Sequence, residues 1–328
     1  MIGDLEQGAA ALARHLGLAS GWSWHSELLG ATPGLRTVVC YHFRRGGTRR
    51  GRALRVVGKF YADAAEGAHC YRSMATLQGL LAKLPEPVLA VPEPLYYDPR
   101  QRFLAQQWVE QRPYPALMAG RGFHQGLRWA GRALAQLHGL PADSGPAKTT
   151  DRHLAELMTP PPADLAARLP ALAPRLRAVI GDVGRLCDGS PAPLAWPSPQ
   201  GQGLQATPSP VAPIHRDFHL RQLFFGGRRV WLIDWDQYAL GDPALDVGNF
   251  LVYLETHLDG RIGEAQEAFL EGYGVAAGDA LWARLPGYRA LTYLRLACKA
   301  YRLQQPGWER RLERMLARAE VLLAGASR

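Results

Sequence analysis

The stretch "VAPIHRDFHLRQLFFGGRRVWLIDWD", Val211 to Asp236, sets Asp217, Asp234 and Asp236 beside the apolar runs Leu223-Phe224-Phe225 and Val230-Trp231-Leu232-Ile233. Like charges next to apolar layers are costly unless something pairs them. The pattern predicts a hairpin, with "QLFF" and "RVWLID" as strands and a turn at Gly226-Gly227. In an antiparallel pair the start of the first strand lies beside the end of the second, with facing residues about 5 Å apart. Asp217, just before the first strand, and Asp234, ending the second, are therefore expected at one lip of a sheet. Carboxylates so placed repel unless one is protonated or a cation lies between them, and a hard divalent ion with oxygen ligands is the usual solution. Surface loop acids or helix caps paired with Arg216 and Arg221 are the plainer reading of the same residues.

Outward from this stretch the chain changes character. "DLEQGAAALARHLGL" reads as an amphipathic helix, and "WHSELLG", "RTVVCYHF" and "ALRVVGKFY" as three strands joined through "ATPGL" and "RRGGTRRG". The helix "AAEGAHCYRSMATLQGLLAKL" and the strands "PEPLYYD" and "RFLAQQWVE" complete a small α+β lobe of about five strands, expected over residues 1–110. From residue 111 to 328 the pattern is mainly helical: in "GLRWAGRALAQLHGL", Leu127, Ala130, Leu134 and Leu137 recur at steps of three and four and form one apolar face. The Pro/Gly/Ser-rich segment 189–213 reads as a long loop, either disordered or functional.

With 328 residues, 47% hydrophobic and 20% charged, the composition is that of an ordinary globular protein with ample core material. Asp4 and Glu6 stand where a signal peptide would be basic, and no 18-residue apolar run occurs, so a cytoplasmic protein without membrane association is expected. Cys40, Cys70, Cys187 and Cys298 show no C-x-x-C spacing; buried, reduced thiols are expected rather than a zinc site. The net charge of +9 raises nucleic acid or an anionic substrate as a partner. The arginines are spread along the whole chain, however, and no basic helix or RNA-binding motif accompanies them, so nucleic-acid binding is not expected. Only four of the 38 basic residues are lysines, and one of them, Lys59, lies inside the apolar strand "RVVGKFY". A chain that writes arginine for nearly every cation and keeps a lysine there points to a need for a compact ammonium, against the alternative of a lysine snorkelling from an edge strand.

"HRDFHLRQ" followed by a hairpin and "IDWD" resembles the catalytic and metal-binding loops of the protein-kinase-like superfamily. More narrowly, His219 two places after Asp217, "IDWD" in place of D-F-G, "GDPALDVGNFL" directly after it and "RALAQLHGL" upstream resemble the aminoglycoside phosphotransferase and choline kinase family. The resemblance implies a two-lobed protein-kinase-like fold, with a small N-terminal lobe built on an antiparallel sheet and a larger, mainly helical C-terminal lobe. It implies transfer of the γ-phosphoryl group of ATP or GTP, with Mg2+, to a hydroxyl of a small molecule such as an aminoglycoside, a sugar or an amino alcohol.

By matching motif, Asp217 would orient the acceptor hydroxyl and take its proton, Asp234 would bind magnesium, and Asp236, two residues on, would assist. Gln222 stands where the family has asparagine, one methylene longer, and magnesium's tight octahedron, at roughly 2.0–2.1 Å, makes that ligand the weak member of the set. His215 would anchor the loop; His219 could either pack the loop or touch substrate or phosphate. Lys59 would bind nucleotide phosphates, with Glu66 either its partner or simply a first-turn acid favoured by the helix dipole. Gln107, Trp108 and Val109 would offer backbone groups to the base, and Gly30 and Gly34 would lie in the phosphate-covering loop. Asp242 with Pro243 reads as a helix cap, and Asp246 as a brace for the catalytic loop. Two other classes stay open: a nucleotide-binding pseudokinase with a regulatory or scaffold role, and a protein kinase, against which stands the lack of an activation segment between "IDWD" and "GDPALD".

Overall fold

The computed structural model describes residues 2–18, 22–32, 34–45, 53–110, 112–113, 122–142, 145–187, 211–258, 260–276 and 278–326. Most of the proline-rich segment 189–213 and the turn within "RRGGTRRG" lie outside the described residues. Along the chain come α1 (Ile2–His15), β1 (Trp22–Thr32), β2 (Arg36–Arg45), β3 (Ala53–Tyr61), α2 (Ala64–Leu81), β4 (Leu89–Ala90), β5 (Pro94–Asp98), β6 (Phe103–Gln107) and β7 (Arg112–Pro113). There follow α3 (Phe123–His138), α4 (Thr150–Glu156), α5 (Pro162–Arg168), α6 (Ala173–Cys187), β8 (Ala212–Ile214), β9 (Leu223–Gly226), β10 (Arg229–Leu232) and β11 (Ala239–Gly241). The last four helices are α7 (Ala244–His257), α8 (Ile262–Tyr273), α9 (Leu281–Leu303) and α10 (Trp308–Ala326).

The chain divides into two compact units, one of residues 1–116 and 222–238, the other of 117–221 and 239–328. This differs from a single cut after Glu110, because the hairpin carrying Asp234 returns to the first unit.

The first unit contains a five-stranded antiparallel sheet in the order β1-β2-β3-β6-β5. The small residues of α1 let it lie flat on the sheet, where Ala9 and Leu12 are buried with Tyr41, Phe43, Val56 and Phe103. On β3, Lys59 is registered between Val38 of β2 and Leu104 of β6, so it sits on a central strand and not at an edge. Asp63 Oδ1 accepts from the Ala65 amide (2.8 Å) and starts α2. A second sheet has the order β4-β10-β9-β7. Its β9–β10 hairpin pairs Gly226 with Arg229, and Gly227 makes the turn at φ +61°.

The second unit is helical apart from the β8–β11 pair. Every residue of α7 from Ala244 to Leu254 is buried, as expected of a helix surrounded by others rather than one with a wet face. Leu127, Ala130, Leu134 and Leu137 of α3 are fully buried, as their spacing predicts. Helices α3 and α8 cross at two glycines: a Cβ on Gly131 would stand 2.2 Å from the Phe269 carbonyl oxygen, and one on Gly272 2.1 Å from that of Arg128. Backbone approach this close leaves room for no side chain.

All four cysteines are buried, and none is in a disulfide. No described helix is long and apolar enough to cross a membrane.

Candidate active site

In the first unit a cavity of about 290 Å³ opens between the two sheets. Its walls are apolar, from Val38, Val57, Phe224 and Ile233, and one end is charged, from Lys59, Arg36 and Asp234. Gln107, Trp108 and Val109 line it, as does Gly30, whereas Gly34 makes the adjoining turn at φ +74°.

The β9–β10 hairpin delivers Asp234 at its end, in the left-handed conformation (φ 68°, ψ 61°). Lys59 Nζ donates to Asp234 Oδ1 (3.0 Å) and to Asp236 Oδ2 (2.7 Å). Arg36, the first residue of β2, donates through Nη2 to Asp234 Oδ2 (2.8 Å) and through Nη1 to Asp236, whose other oxygen accepts from the Tyr61 hydroxyl. Gln222 Nε2 reaches Asp234 Oδ2 at 3.2 Å. Burial opposes ionisation of Asp234, but Lys59 and Arg36 overcome it and hold the carboxyl well below the usual range. Burial would likewise lower Lys59, and the two aspartates more than offset it, so the ammonium stays charged.

Lys59 therefore takes its carboxylate partners from the hairpin and not from α2. Glu66 stands in the first turn of that helix and makes no hydrogen bond or ion pair with Lys59; partial desolvation, with Asp63 and Asp236 nearby, raises its pKa.

In the second unit β8 runs into the loop that bears Asp217, and four side chains hold that loop. Asp246, fully buried in the first turn of α7, accepts from the amides of His215 (2.6 Å) and Arg216 (2.7 Å) and faces His138 Nε2 (3.3 Å). Asn249 Nδ2 donates to the Phe218 carbonyl (2.9 Å). Arg295 of α9 donates to the Arg216 carbonyl (3.1 Å) and to Asp217 Oδ1 (2.8 Å). Arg216, at φ 65°, is tied through Nε to His153 Nδ1 (3.2 Å) and through Nη2 to Glu156 (3.1 Å). His153 is kept neutral, its pKa pushed down to about 3 by burial and by the Arg216 charge.

Burial would raise Asp217, but Arg295 and then His219 and His215 hold it below the ordinary carboxylate range. His219 Nε2 lies 3.6 Å from Asp217 Oδ2, and its ring stacks on Tyr253 with centroids 4.5 Å apart. His215 is fully buried. Pro243, and not Asp242, is the N-cap of α7; Asp242, one residue earlier, accepts from the Ala244 amide (2.9 Å) and pairs with Arg284 (2.5 and 3.2 Å).

Sequence reading missed Arg36, Tyr61, Arg295 and Gln106. Gln106 lines the first cavity with a buried Oε1 that has no hydrogen-bond partner among the described residues. Its signal was a polar side chain in the buried strand "FLAQQ"; Arg36 and Arg295 carry no local signal.

The sequence pattern of the phosphotransferase enzyme family (APH) matches residues 41–294. No curated protein matches the chain significantly. Among solved structures, a choline/ethanolamine kinase family protein from Mesorhizobium loti is similar at 18% identity and TM-score 0.59, over 99% of both chains. Choline kinase from Cryptosporidium parvum is similar at 8% identity and TM-score 0.62, over 97% of this chain and 96% of that one. A thermostable mutant of aminoglycoside phosphotransferase APH(4)-Ia, in ternary complex with AMP-PNP and hygromycin B, is similar at 13% identity and TM-score 0.61, over 96% and 98%. At such identities the likeness is one of fold, the two-lobed kinase-like α+β architecture. With the family pattern spanning most of the sequence, from the second strand to α9, the chain belongs to the phosphotransferase enzyme family.

Proposed function

We propose that this protein transfers the γ-phosphoryl group of ATP or GTP to a hydroxyl of a small molecule. The observation that carries the reading is the charged end of the first cavity, where a central-strand lysine meets two hairpin aspartates beneath apolar walls. Apolar walls suit a base, and cations suit phosphates. The structural neighbours crystallised with ADP, AMP-PNP or GDP make a nucleotide the natural occupant.

The donors fit magnesium. Asp234, Asp236 and Gln222 supply hard oxygens, and no His/Cys/Asp/Glu group among the described residues forms an all-protein metal cage. Magnesium is commonly held by one or two carboxylates together with substrate phosphates. Asp234, with Gln222 beside it and Asp236 behind, would hold the ion, which would supply positive charge to neutralise the negative charge of the nucleotide phosphates.

The chain's own groups divide the remaining work. Lys59 donates to the nucleotide phosphates, and the backbone of Gln107 to Val109 meets the base. Asp217, ionised and oriented by Arg295, accepts the proton of the acceptor hydroxyl as the hydroxyl oxygen bonds to the γ-phosphorus and the bond to the leaving nucleoside diphosphate breaks. His215 anchors the loop, and His219 packs between Asp217 and Tyr253.

The test is nucleoside diphosphate release with a panel of hydroxyl compounds. Asp217→Asn should lower transfer by about 10²–10⁴-fold while calorimetric binding of Mg2+·AMP-PNP persists. Lys59→Ala should weaken that binding. Equal transfer by wild type and Asp217→Asn would remove Asp217 from the reaction. Nucleotide binding without transfer to any acceptor would leave a non-catalytic nucleotide-binding protein.

A further inference from the structure

A cavity of about 220 Å³ in the second unit opens on Asp217. It is smaller than the roughly 300–1,000 Å³ typical of sites for drug-sized ligands. Its lining among the described residues is polar and unbalanced in charge: Arg295, Lys299 and Arg302 against one acid, Asp217.

The three cations stand at i, i+4 and i+7 of α9, which puts them on one face of the helix, about one turn apart. Arg295 is committed to Asp217 and to the loop carbonyl of Arg216. Lys299 and Arg302 are exposed and make no ion pair or hydrogen bond among the described residues. Lys299, although exposed, has its pKa lowered by partial desolvation and by the Arg295, Arg302 and Arg221 charges, with Asp217 opposing. Like charges held this close raise each other's energy until an anion arrives. His219, Tyr253 and Thr159 add neutral hydrogen-bonding groups to the lining.

We infer that the acceptor is a small hydroxylated anion, a hydroxy acid or a hydroxyl-bearing phosphate ester, whose charged group is held by Lys299 and Arg302 while its hydroxyl meets Asp217. This rests on the phosphotransferase reading above and narrows its acceptor. A cationic amino alcohol or aminoglycoside would meet repulsion from two unpaired cations, and Asp217, already paired with Arg295, offers it little compensation.

The experiment compares three sets of acceptors with magnesium and ATP or GTP: anionic (glycerate, gluconate, glycerol 3-phosphate), neutral (glycerol, glucose) and cationic (choline, kanamycin). Nucleoside diphosphate release is measured for every compound, and calorimetry follows anion binding in the presence of Mg2+·AMP-PNP. Turnover should favour the anionic set, and the two carboxylates against the phosphate ester will show which anion the site takes. The double variant Lys299→Glu, Arg302→Glu should raise KM for the preferred anion about 100-fold, about tenfold per reversed charge, with kcat little changed. Lys299→Gln is the milder companion should the double variant fold poorly.

Better turnover of choline, kanamycin or the neutral alcohols overturns the anionic acceptor and leaves phosphotransfer standing. If no compound turns over, anion binding that these variants weaken keeps the anion site and removes the phosphotransferase reading. No anion binding, or binding indifferent to Lys299 and Arg302, overturns the inference.

Discussion

In the first unit two acids, Asp234 and Asp236, face two cations, Lys59 and Arg36, and the formal charges cancel. In the second, one acid, Asp217, lies among Arg295, Lys299 and Arg302, and positive charge is left over. Charge balance decides what each cluster is ready to receive. A balanced cluster admits a divalent cation only if a resident cation gives way, whereas an unbalanced one gains an anion with no internal pair to break. The clusters also differ in how they are held: Asp234 and Asp236 are fixed by the charges they face, while the loop of Asp217 is fixed mainly through its backbone at His215, Arg216 and Phe218, with Arg295 adding a bond to the Asp217 carboxylate itself.

The backbone brace should be the most fragile part. Asp246→Ala would leave the buried amides of His215 and Arg216 unsatisfied, at about 1–3 kcal/mol each, and denaturant unfolding should show a loss of that order with transfer abolished. Asp246→Asn, which keeps an acceptor oxygen, should lose less. A change below about 1 kcal/mol for the alanine variant would mean that the loop is held elsewhere.

Next in size, Asp234→Asn should remove the magnesium-dependent part of stabilisation by AMP-PNP, a total that reaches about 2.7 kcal/mol at a hundredfold excess over Kd. Thermal melts with and without magnesium decide this, and an unchanged magnesium dependence would place the ion elsewhere. Arg36→Gln sharpens the contrast between the clusters. With one resident cation gone, Mn2+ titrated without nucleotide and followed by electron paramagnetic resonance should bind more tightly, by about tenfold, the equivalent of about 1.4 kcal/mol. Weaker binding would show that Arg36 supports the ion rather than competing with it. The smallest effect is expected from Gln222→Asn, which shortens the amide by one methylene; transfer rates should stay level or rise by a few fold, well under the factor of ten that 1.4 kcal/mol represents.

Much of this was legible in the chain. The hairpin, the five-stranded sheet and the α3 stripe follow from local alternation and helical periodicity, which report burial directly. Lys59 stood out because lysine is scarce, and Asp246 because its motif follows the hairpin. What could not be read were partners set by tertiary approach. Arg36 is 198 positions from Asp234, and Arg295 is 78 from Asp217; nothing near either arginine marks it among its many fellows. Glu66 shows the converse: α2 begins where expected, but the lysine's partners come from another sheet, so its position in sequence implied a contact that packing does not make.

The left-handed backbone at Asp234 restricts which replacements the hairpin end can accept at all. Aspartate and asparagine enter that conformation more readily than other side chains, glycine enters it freely, and β-branched residues scarcely do. Loss of the carboxylate proposed to hold the metal, with the fold retained, thus runs through asparagine or glycine at this position. Relatives bearing either residue here should be folded proteins with an impaired metal site, whereas those bearing valine or isoleucine should show a rebuilt turn after β10.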